Sequence, residues 1–418
     1  MQNKDMIIEK KGYSYNDLTI VPEVISDVSS RSECNPFIKE NWLPIIASPM
    51  ASVVNENNLQ SFIDNGITPI VPRNIDLDRR KSLMNDKQWV ALSLKEFEFC
   101  FITEANKRDL GKHYFICVDI ANGHMKSLYL TCRAAKTLAD KYGYKLTIMT
   151  GNIANAETYK WISEFTYKDK NDKTHCVIDF IRVGIGGGSG CITTSNTSTH
   201  YPQASLIDEC YNLKKNNMNY VYELPKIVAD GGVRNYDHVI KALALGADYV
   251  MIGSVFSQCM ESAGEKTYKT ITSKTSLSFN IERYKDFEID KNGNWSAYYT
   301  DEYITTLIEP LQSWNSIEKY NEHIASLKEK KSIGPISVKF FGMASSDGQK
   351  SISGEKTKTA EGITKYLPVL YTLNGWTKNM ISYLRSAMSY TDCKTLKEFI
   401  GKPKLIINSI SEIHAVNK

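Results

Sequence analysis

The 418-residue sequence has no CxxC pair, no run of apolar residues long enough to span a bilayer, no internal repeat and no low-complexity tract. It also has almost no excess of charge, since Lys and Arg exceed Asp and Glu by four (51 against 47) and are spread along the chain. That balance gives no handle for nucleic acid or a membrane surface. The N-terminus, MQNKDMIIEKKGYSYND, lacks the apolar stretch of a signal peptide, so a cytoplasmic protein with no membrane and no nucleic-acid partner is the expectation. Nine cysteines, at 34, 100, 117, 132, 176, 191, 210, 259 and 393, neither cluster at metal-ligand spacing nor form an even frame. They read as reduced thiols, not as disulfides or a zinc site, and most of them as small core residues. What is present is a hydrophobic fraction of 42%, enough for a large core, in a length that suits one barrel carrying an insertion.

Short apolar runs alternate with longer amphipathic stretches, the pattern of βα units around a parallel sheet. Strands are expected at residues 44–48, 68–71, 89–94, 114–119, 146–150, 178–183, 226–229 and 249–252. Helices are expected at 56–65, 76–85, 103–108, 124–142, 156–165, 204–216 and 237–245, with an eighth at 377–389 after a long interruption. Doubly wound sheets alternate in the same way, but eight units with short helices favour a closed (β/α)8 barrel with an insertion between its last strand and last helix. The chain then divides into the first part of the barrel (1–264), an insertion subdomain (265–335) and a flap with the completion of the barrel (336–418). The insertion is polar with an aromatic stretch at 295–299 and a charged helix near 317–330. Residues 345–359, rich in Ser, Gly, Lys and Thr, read as a mobile loop, either an active-site lid or a solvated connection.

The unusual residues lie at strand ends. Residues 119–123 (DIANG), 151–152 (GN), 184–191 (GIGGGSGC), 230–232 (DGG) and 253–254 (GS) each follow an expected strand. All therefore fall on the C-terminal rim, where barrel active sites are built. In 184–194 (GIGGGSGCITT), five glycines in seven positions let the backbone approach a ligand. Successive amides can cradle an anion, and carbonyls can turn to a cation. A thiolate needs such a polar, partly open setting, which makes Cys191 the candidate nucleophile over Cys117 and Cys176. The glycine loops after the seventh and eighth strands suit phosphate, and Asp230 a ribose diol; two glycine turns and a capping Asp are the structural alternative.

In order along the chain, residues 30–33 (SRSE), 48–50 (SPM), 119–124 (DIANGH), 151–153 (GNI), 184–194, 201–203 (YPQ), 229–232 (ADGG), 250–254 (VMIGS), 341–345 (FGMAS), 360–362 (AEG) and 384–386 (LRS) resemble the inosine monophosphate dehydrogenase and guanosine monophosphate reductase family. The resemblance runs from about residue 13 to 410, apart from the insertion. It is closer to the reductase branch. No regulatory domain fits between Arg73 and Val118, and the flap at 345–359 holds neither the arginine nor the tyrosine that the dehydrogenases use.

The resemblance implies reductive deamination of GMP to IMP and ammonia with NADPH, through a covalent adduct on Cys191. Thr193 and Glu361 would serve amine loss. Ser48, Met50, Ser189, Asp230, Gly231, Gly232, Gly253, Ser254, Gly342, Met343 and Gly362 would bind the purine nucleotide. Ser30, Arg31, Arg73, Asp119, Ala121, Asn152, Ile185 and Gly186 would line the cofactor side. Main-chain oxygens of Gly186, Gly188 and Cys191 resemble a potassium site, and a homotetramer is the implied assembly.

The chain departs from the family at Gly187, usually proline, at Ala51, usually Asp, and at Pro72, often histidine. Phe340 and Phe341 leave no tyrosine hydroxyl beside Gly342, and Ser195 stands near where a basic residue is common. These departures leave a deoxy or modified purine open. Two further readings stand beside the reductase: an IMP dehydrogenase using NAD, and a catalytically lapsed nucleotide-binding protein whose insertion mediates assembly.

Overall fold

The computed structural model describes residues 10–85, 88–216, 220–272, 284–289, 295–299, 336–355 and 359–409. Eight parallel strands close a barrel: β1 (Ile45–Ala47), β2 (Thr68–Val71), β3 (Trp89–Leu92), β4 (His113–Asp119), β5 (Lys145–Ile153), β6 (Phe180–Val183), β7 (Lys226–Asp230) and β8 (Tyr249–Ile252). Each pairs with the next in sequence, and β8 closes on β1 through Val250↔Ile45, Met251↔Ile46 and Ile252↔Ala47. All eight lie where the apolar runs put them.

The period-2 alternation of a strand sorts these residues onto two faces. Ile45, Ala47, Val71, Val90, Ile116, Val118, Ile181, Ile227 and Ile252 point outward into the shell shared with the helices. Ile46, Ile70, Ala91, Cys117, Met149, Val228 and Met251 form a separate cluster inside the barrel. Below that cluster, at the N-terminal strand ends, Trp89 meets Phe115 and Phe180, and Phe180 meets Tyr249, with ring centroids 5.3–5.4 Å apart. The same parity carried two residues up from Cys117 and Val228 gives Asp119 and Asp230, and two up from Phe180 gives Arg182, level with Val228. The interior is thus mainly aromatic at the bottom and aliphatic in the middle, with the carboxylates Asp119 and Asp230 at the C-terminal mouth and Arg182 reaching up to both.

The helices are α1 (Leu59–Asp64), α2 (Leu77–Asn85), α3 (Leu94–Glu98), α4 (Lys126–Tyr142), α5 (Ala156–Glu164), α6 (Thr193–Thr197), α7 (Gln203–Asn216), α8 (Tyr236–Ala244), α9 (Ser254–Ser257), α10 (Ser346–Ser353), α11 (Leu373–Tyr390) and α12 (Leu396–Phe399). In α4 the buried residues Leu128, Tyr129, Cys132, Ala135 and Ala139 recur at three- and four-residue spacing, and Gly143, at φ 74°, ends the helix in the left-handed conformation. The expected helix at 103–108 starts earlier. Ser93 caps α3 by accepting from Glu96 N–H, and a π turn and a 3-10 turn carry the segment to Lys107. Among the described residues no helix is long and apolar enough to cross a membrane.

Between β8 and α11 a five-stranded sheet is inserted. Its strands are β9 (Lys266–Thr272), β10 (Tyr284–Ile289), β11 (Trp295–Tyr299), β12 (Ile336–Phe341) and β13 (Thr364–Pro368), in the order β10-β11-β9-β12-β13 with antiparallel pairing. One sheet therefore joins residues on both sides of position 335. The helix expected at 317–330 lies outside the described residues. The segment expected as a mobile loop, lid or solvated connection, instead holds α10. Ser345 Oγ accepts from Gly348 N–H at 3.0 Å, and Gly348 is buried so tightly that an added Cβ would lie 2.4 Å from Gly342 O. The Ser and Gly that read as loop here act as a cap and as a point of close backbone approach.

Candidate active site

The glycine-rich segment after β6 runs across the mouth of the barrel between two other loops. On one side Gly232 N–H donates to Gly187 O at 3.0 Å, and Gly231 packs against Gly188. On the other, Ile192 N–H donates to Glu361 O and Ile363 N–H to Gly190 O, both at 3.0 Å, with Cys191 bridged to Gly362. Side chains are excluded at these contacts. A Cβ on Gly190 would lie 2.9 Å from the Phe340 ring, and one on Gly362 2.8 Å from Ser345 N. The segment between β12 and β13 is therefore sewn to the cysteine loop backbone to backbone, which fixes Glu361 opposite Cys191.

Of the nine cysteines, only Cys191 is partly exposed. Burial raises the pKa of the other eight, with Cys117, Cys132 and Cys176 pushed up to about 12. Cys191 Sγ lies 3.1 Å from Thr193 Oγ1 and 3.5 Å from Thr193 N, and Thr193 Oγ1 donates to Glu361 Oε2 at 3.1 Å. Thiol, hydroxyl and carboxylate form one line along which a proton can pass.

Residues expected on the nucleotide side meet in two groups, Gly253 with Ser48 and Met50, and Gly342 with the cysteine loop. An added Cβ on Gly253 would lie 2.9 Å from Met50 Sδ and 3.8 Å from Ser48 Cβ, and Ser254 follows as the first residue of α9. Ala51 N–H approaches Met343 Sδ at 3.4 Å, and Gly342 abuts Gly190. Ser189 Oγ is buried without a hydrogen-bond partner among the described residues. Buried hydroxyls are rarely left so, which marks it as aimed at something the protein does not supply.

Beneath the loop lies a residue that the sequence reading missed. Arg182 is 8% exposed and reaches both carboxylates of the mouth: Nη1 donates to Asp119 Oδ1 at 2.7 Å, while Nε and Nη2 lie 2.9 and 2.8 Å from Asp230 Oδ2. Asn152 Nδ2 adds a bond to the same Asp230 oxygen at 2.7 Å. Burial opposes the guanidinium charge, but Asp230 and Asp119 outweigh it and hold Arg182 charged, well above the usual range. The signal was present, since FIRV is an apolar strand interrupted by one charge just before the glycines. Buried charge is expensive unless paired, so such a residue implies carboxylates facing it.

Arg73, expected on the cofactor side, makes long contacts. Its Nη1 donates to Asp119 O at 3.4 Å, and its ion pairs to Asp119 and Glu96 are both 3.9 Å long. Arg80 takes the closer contact to Glu96, at 2.6 Å. Ala121 is exposed on the loop after β4, and Ile185 O accepts from His200 Nδ1 at 2.8 Å. Ser30 and Arg31 lie elsewhere, beside the C-terminal half of α11, where Arg31 Nη1 donates to Ser386 Oγ at 3.3 Å. Among the described residues no hydrogen bond or ion pair joins them to the rim. No cluster of His, Cys, Asp and Glu among the described residues could hold a metal ion.

Residues 109–291 match the IMP dehydrogenase / GMP reductase domain. Over that segment the chain is similar to members of that family. Its curated relatives include the GMP reductase of Helicobacter pylori strain ATCC 700392 / 26695, 28% identical over 267 residues, which are 61% of this chain and 73% of the relative. The GMP reductase of Staphylococcus carnosus strain TM300 is 28% identical over 266 residues, and that of Staphylococcus aureus strain Newman 29% over 268, each covering 61% of this chain and 74% of the relative. The matched segment starts just before β4 and extends into the inserted sheet.

Proposed function

We propose that this chain is an oxidoreductase of purine nucleotides that converts GMP, or a closely related nucleotide, to IMP and ammonia with NADPH. The observation that carries this reading is the line Cys191 Sγ–Thr193 Oγ1–Glu361 Oε2, with both separations 3.1 Å, at the mouth of the barrel. The thiol proton passes through the threonine hydroxyl to the carboxylate, and the resulting thiolate, faced by Thr193 N–H, attacks C2 of the guanine ring. Glu361, now protonated, returns that proton through Thr193 to the departing amine. The carbon–nitrogen bond breaks and ammonia leaves, with the purine held on Cys191 as a thioimidate. NADPH, when bound, supplies the hydride that C2 takes up, and the C2–sulfur bond then breaks to release the thiolate and IMP.

Around this line, Ser189, Gly253 and Ser254 would take the nucleotide phosphate, Ser189 Oγ gaining the partner it lacks. Asp230 would accept from the ribose through Oδ1, because among the described residues its side-chain bonds go to Oδ2. Ser48, Met50, Gly342, Met343 and Gly362 would flank the base. Arg73, Asp119, Ala121, Asn152, Ile185 and Gly186 would face the nicotinamide; the long contacts of Arg73 leave it able to turn to an incoming polar group. Main-chain oxygens of Gly186, Gly188 and Cys191 would hold potassium, a donor set that suits such a cation. Gly188 O already accepts from Cys191 N–H at 3.0 Å. A cytoplasmic homotetramer completes the reading.

Absorbance of the nicotinamide tests it: NADPH consumed with GMP supports the reductase, NAD reduced with IMP replaces it with a dehydrogenase, and nucleotide binding without turnover in either direction leaves a binding protein.

A further inference from the structure

His124 closes the DIANGH segment at 119–124, and the proposed chemistry leaves it without a role. Its ring bridges the loop after β4 and the start of α5. Ala154 N–H donates to His124 Nε2 at 3.1 Å, and Thr158 Oγ1 lies 3.1 Å from Nδ1. An amide N–H can only donate, so Nε2 is the bare nitrogen and Nδ1 carries the proton, which Thr158 accepts. One residue back along the loop, Gly123 N–H donates to Asn152 O at 2.9 Å, and an added Cβ on Gly123 would lie 2.7 Å from the same oxygen. These two contacts bracket the segment from Asn152 to Ala154. Asn152 in turn donates through Nδ2 to Gly184 O at 2.8 Å and to Asp230 Oδ2 at 2.7 Å. A line of bonds thus runs from His124 across the ends of β4, β5, β6 and β7.

We propose that His124 is a positioning residue, whose neutral ring clasps the loop after β4 to the loop after β5 and so holds Ala121 and Asn152 in place for the nicotinamide cofactor. The role toward the cofactor rests on the reading of those two residues given above; the clasp itself does not. The residue is exposed at the rim, so protons reach it, yet its ring is enclosed enough that desolvation lowers its pKa below 6.5. Lys126 on α4 and Glu157 and Lys160 on α5, the charged groups that flank it along the chain, add no shift of their own. Asp119, at the end of β4, is paired with Arg182. Protonation turns Nε2 into a donor facing the Ala154 donor, so the clasp opens. Because the folded pKa is depressed, the clasp is intact above pH 6.5 and is lost as the pH falls through the folded value.

Hydrogen–deuterium exchange of the full chain, read by mass spectrometry over 150–156 and corrected for the intrinsic effect of pH, tests the clasp without any substrate. At pH 8 the Ala154 amide should exchange at least five-fold faster in His124→Leu than in wild type. His124→Gln keeps an acceptor of similar reach and does not titrate. It should match wild type at pH 8 and keep its protection at pH 5, where wild type loses it. Exchange in His124→Leu within two-fold of wild type at pH 8 overturns the clasp, and loss of protection at pH 5 in His124→Gln overturns its control by His124. Turnover at pH 8 tests the positioning: His124→Leu should raise KM for NADPH at least five-fold with KM for GMP within two-fold, and His124→Gln should restore the wild-type values. An equal change in both KM values, or none, overturns the role toward the cofactor. Wild type that binds NADPH without turning over GMP overturns the reaction proposed above, and the same five-fold change, read as Kd from nicotinamide fluorescence, then decides the positioning. Wild type that does not bind NADPH overturns both.

Discussion

Among the side chains, exposure separates one thiol from eight. Brief treatment of the folded protein with iodoacetamide should give a single modification, at Cys191, readable by peptide mass spectrometry; label spread over Cys117 or Cys132 would contradict the burial of those residues. Thr193→Val cuts the line between thiol and carboxylate while keeping its shape. It should lower kcat by about 10²–10⁴-fold with KM for the nucleotide little changed, as should Glu361→Gln. A KM effect as large as the kcat effect would assign both residues to binding. The placement of Cys191 and Asp230 at the barrel mouth was legible from sequence because glycines and strand ends announce it. Arg182 was not, because its meaning lies in two carboxylates 48 and 63 residues away along the chain. Arg182→Met leaves those carboxylates buried and uncompensated and should destabilise the fold by about 3–5 kcal/mol in denaturant titration. A change below about 1 kcal/mol would mean that water reaches the pair.

Between elements, the strands of the barrel followed the apolar runs closely, since a strand buried on both faces leaves a nearly continuous apolar stretch bounded by glycine or charge. The segment between β12 and β13 did not, because its structure comes from contacts that composition hides. Gly342, Gly348 and Gly362 are there to let backbones touch, not to make the chain loose. Gly362→Ala places a methyl group 2.8 Å from Ser345 N and 2.9 Å from Gly190 O, so Glu361 must move away from Thr193. A displacement approaching 1 Å should reduce kcat about 10²-fold while the thermal transition of the barrel stays near that of the parent. Unchanged kcat would mean that the seam between these segments does not position the carboxylate.

Over the whole molecule, the barrel interior holds the Asp119–Arg182–Asp230 cluster toward its C-terminal end, and Asn16 of the N-terminal segment is tied to α8 through His238, with Asn16 Oδ1 2.7 Å from His238 Nε2. Burial depresses the pKa of His238 below 6.5, against the opposing charge of Asp237. The unfolded chain therefore binds the proton more readily than the folded one. The contribution to stability is complete above pH 6.5 and is lost as the pH falls through the folded pKa. Tm should accordingly fall on acidification below pH 6.5, and His238→Gln should flatten that part of the profile. An unchanged slope in the variant would place the acid sensitivity elsewhere, with His124, also depressed by burial, the next residue to replace.

The central claim is that Cys191 bonds to the purine during turnover. Acid quenching of the enzyme cycling with GMP and NADPH, followed by intact-mass and peptide analysis, should find the nucleotide's added mass on the peptide carrying Cys191, and none in the Cys191→Ala variant. Full turnover by that variant, or a wild-type enzyme that turns over with no added mass at any quench time, would contradict the account.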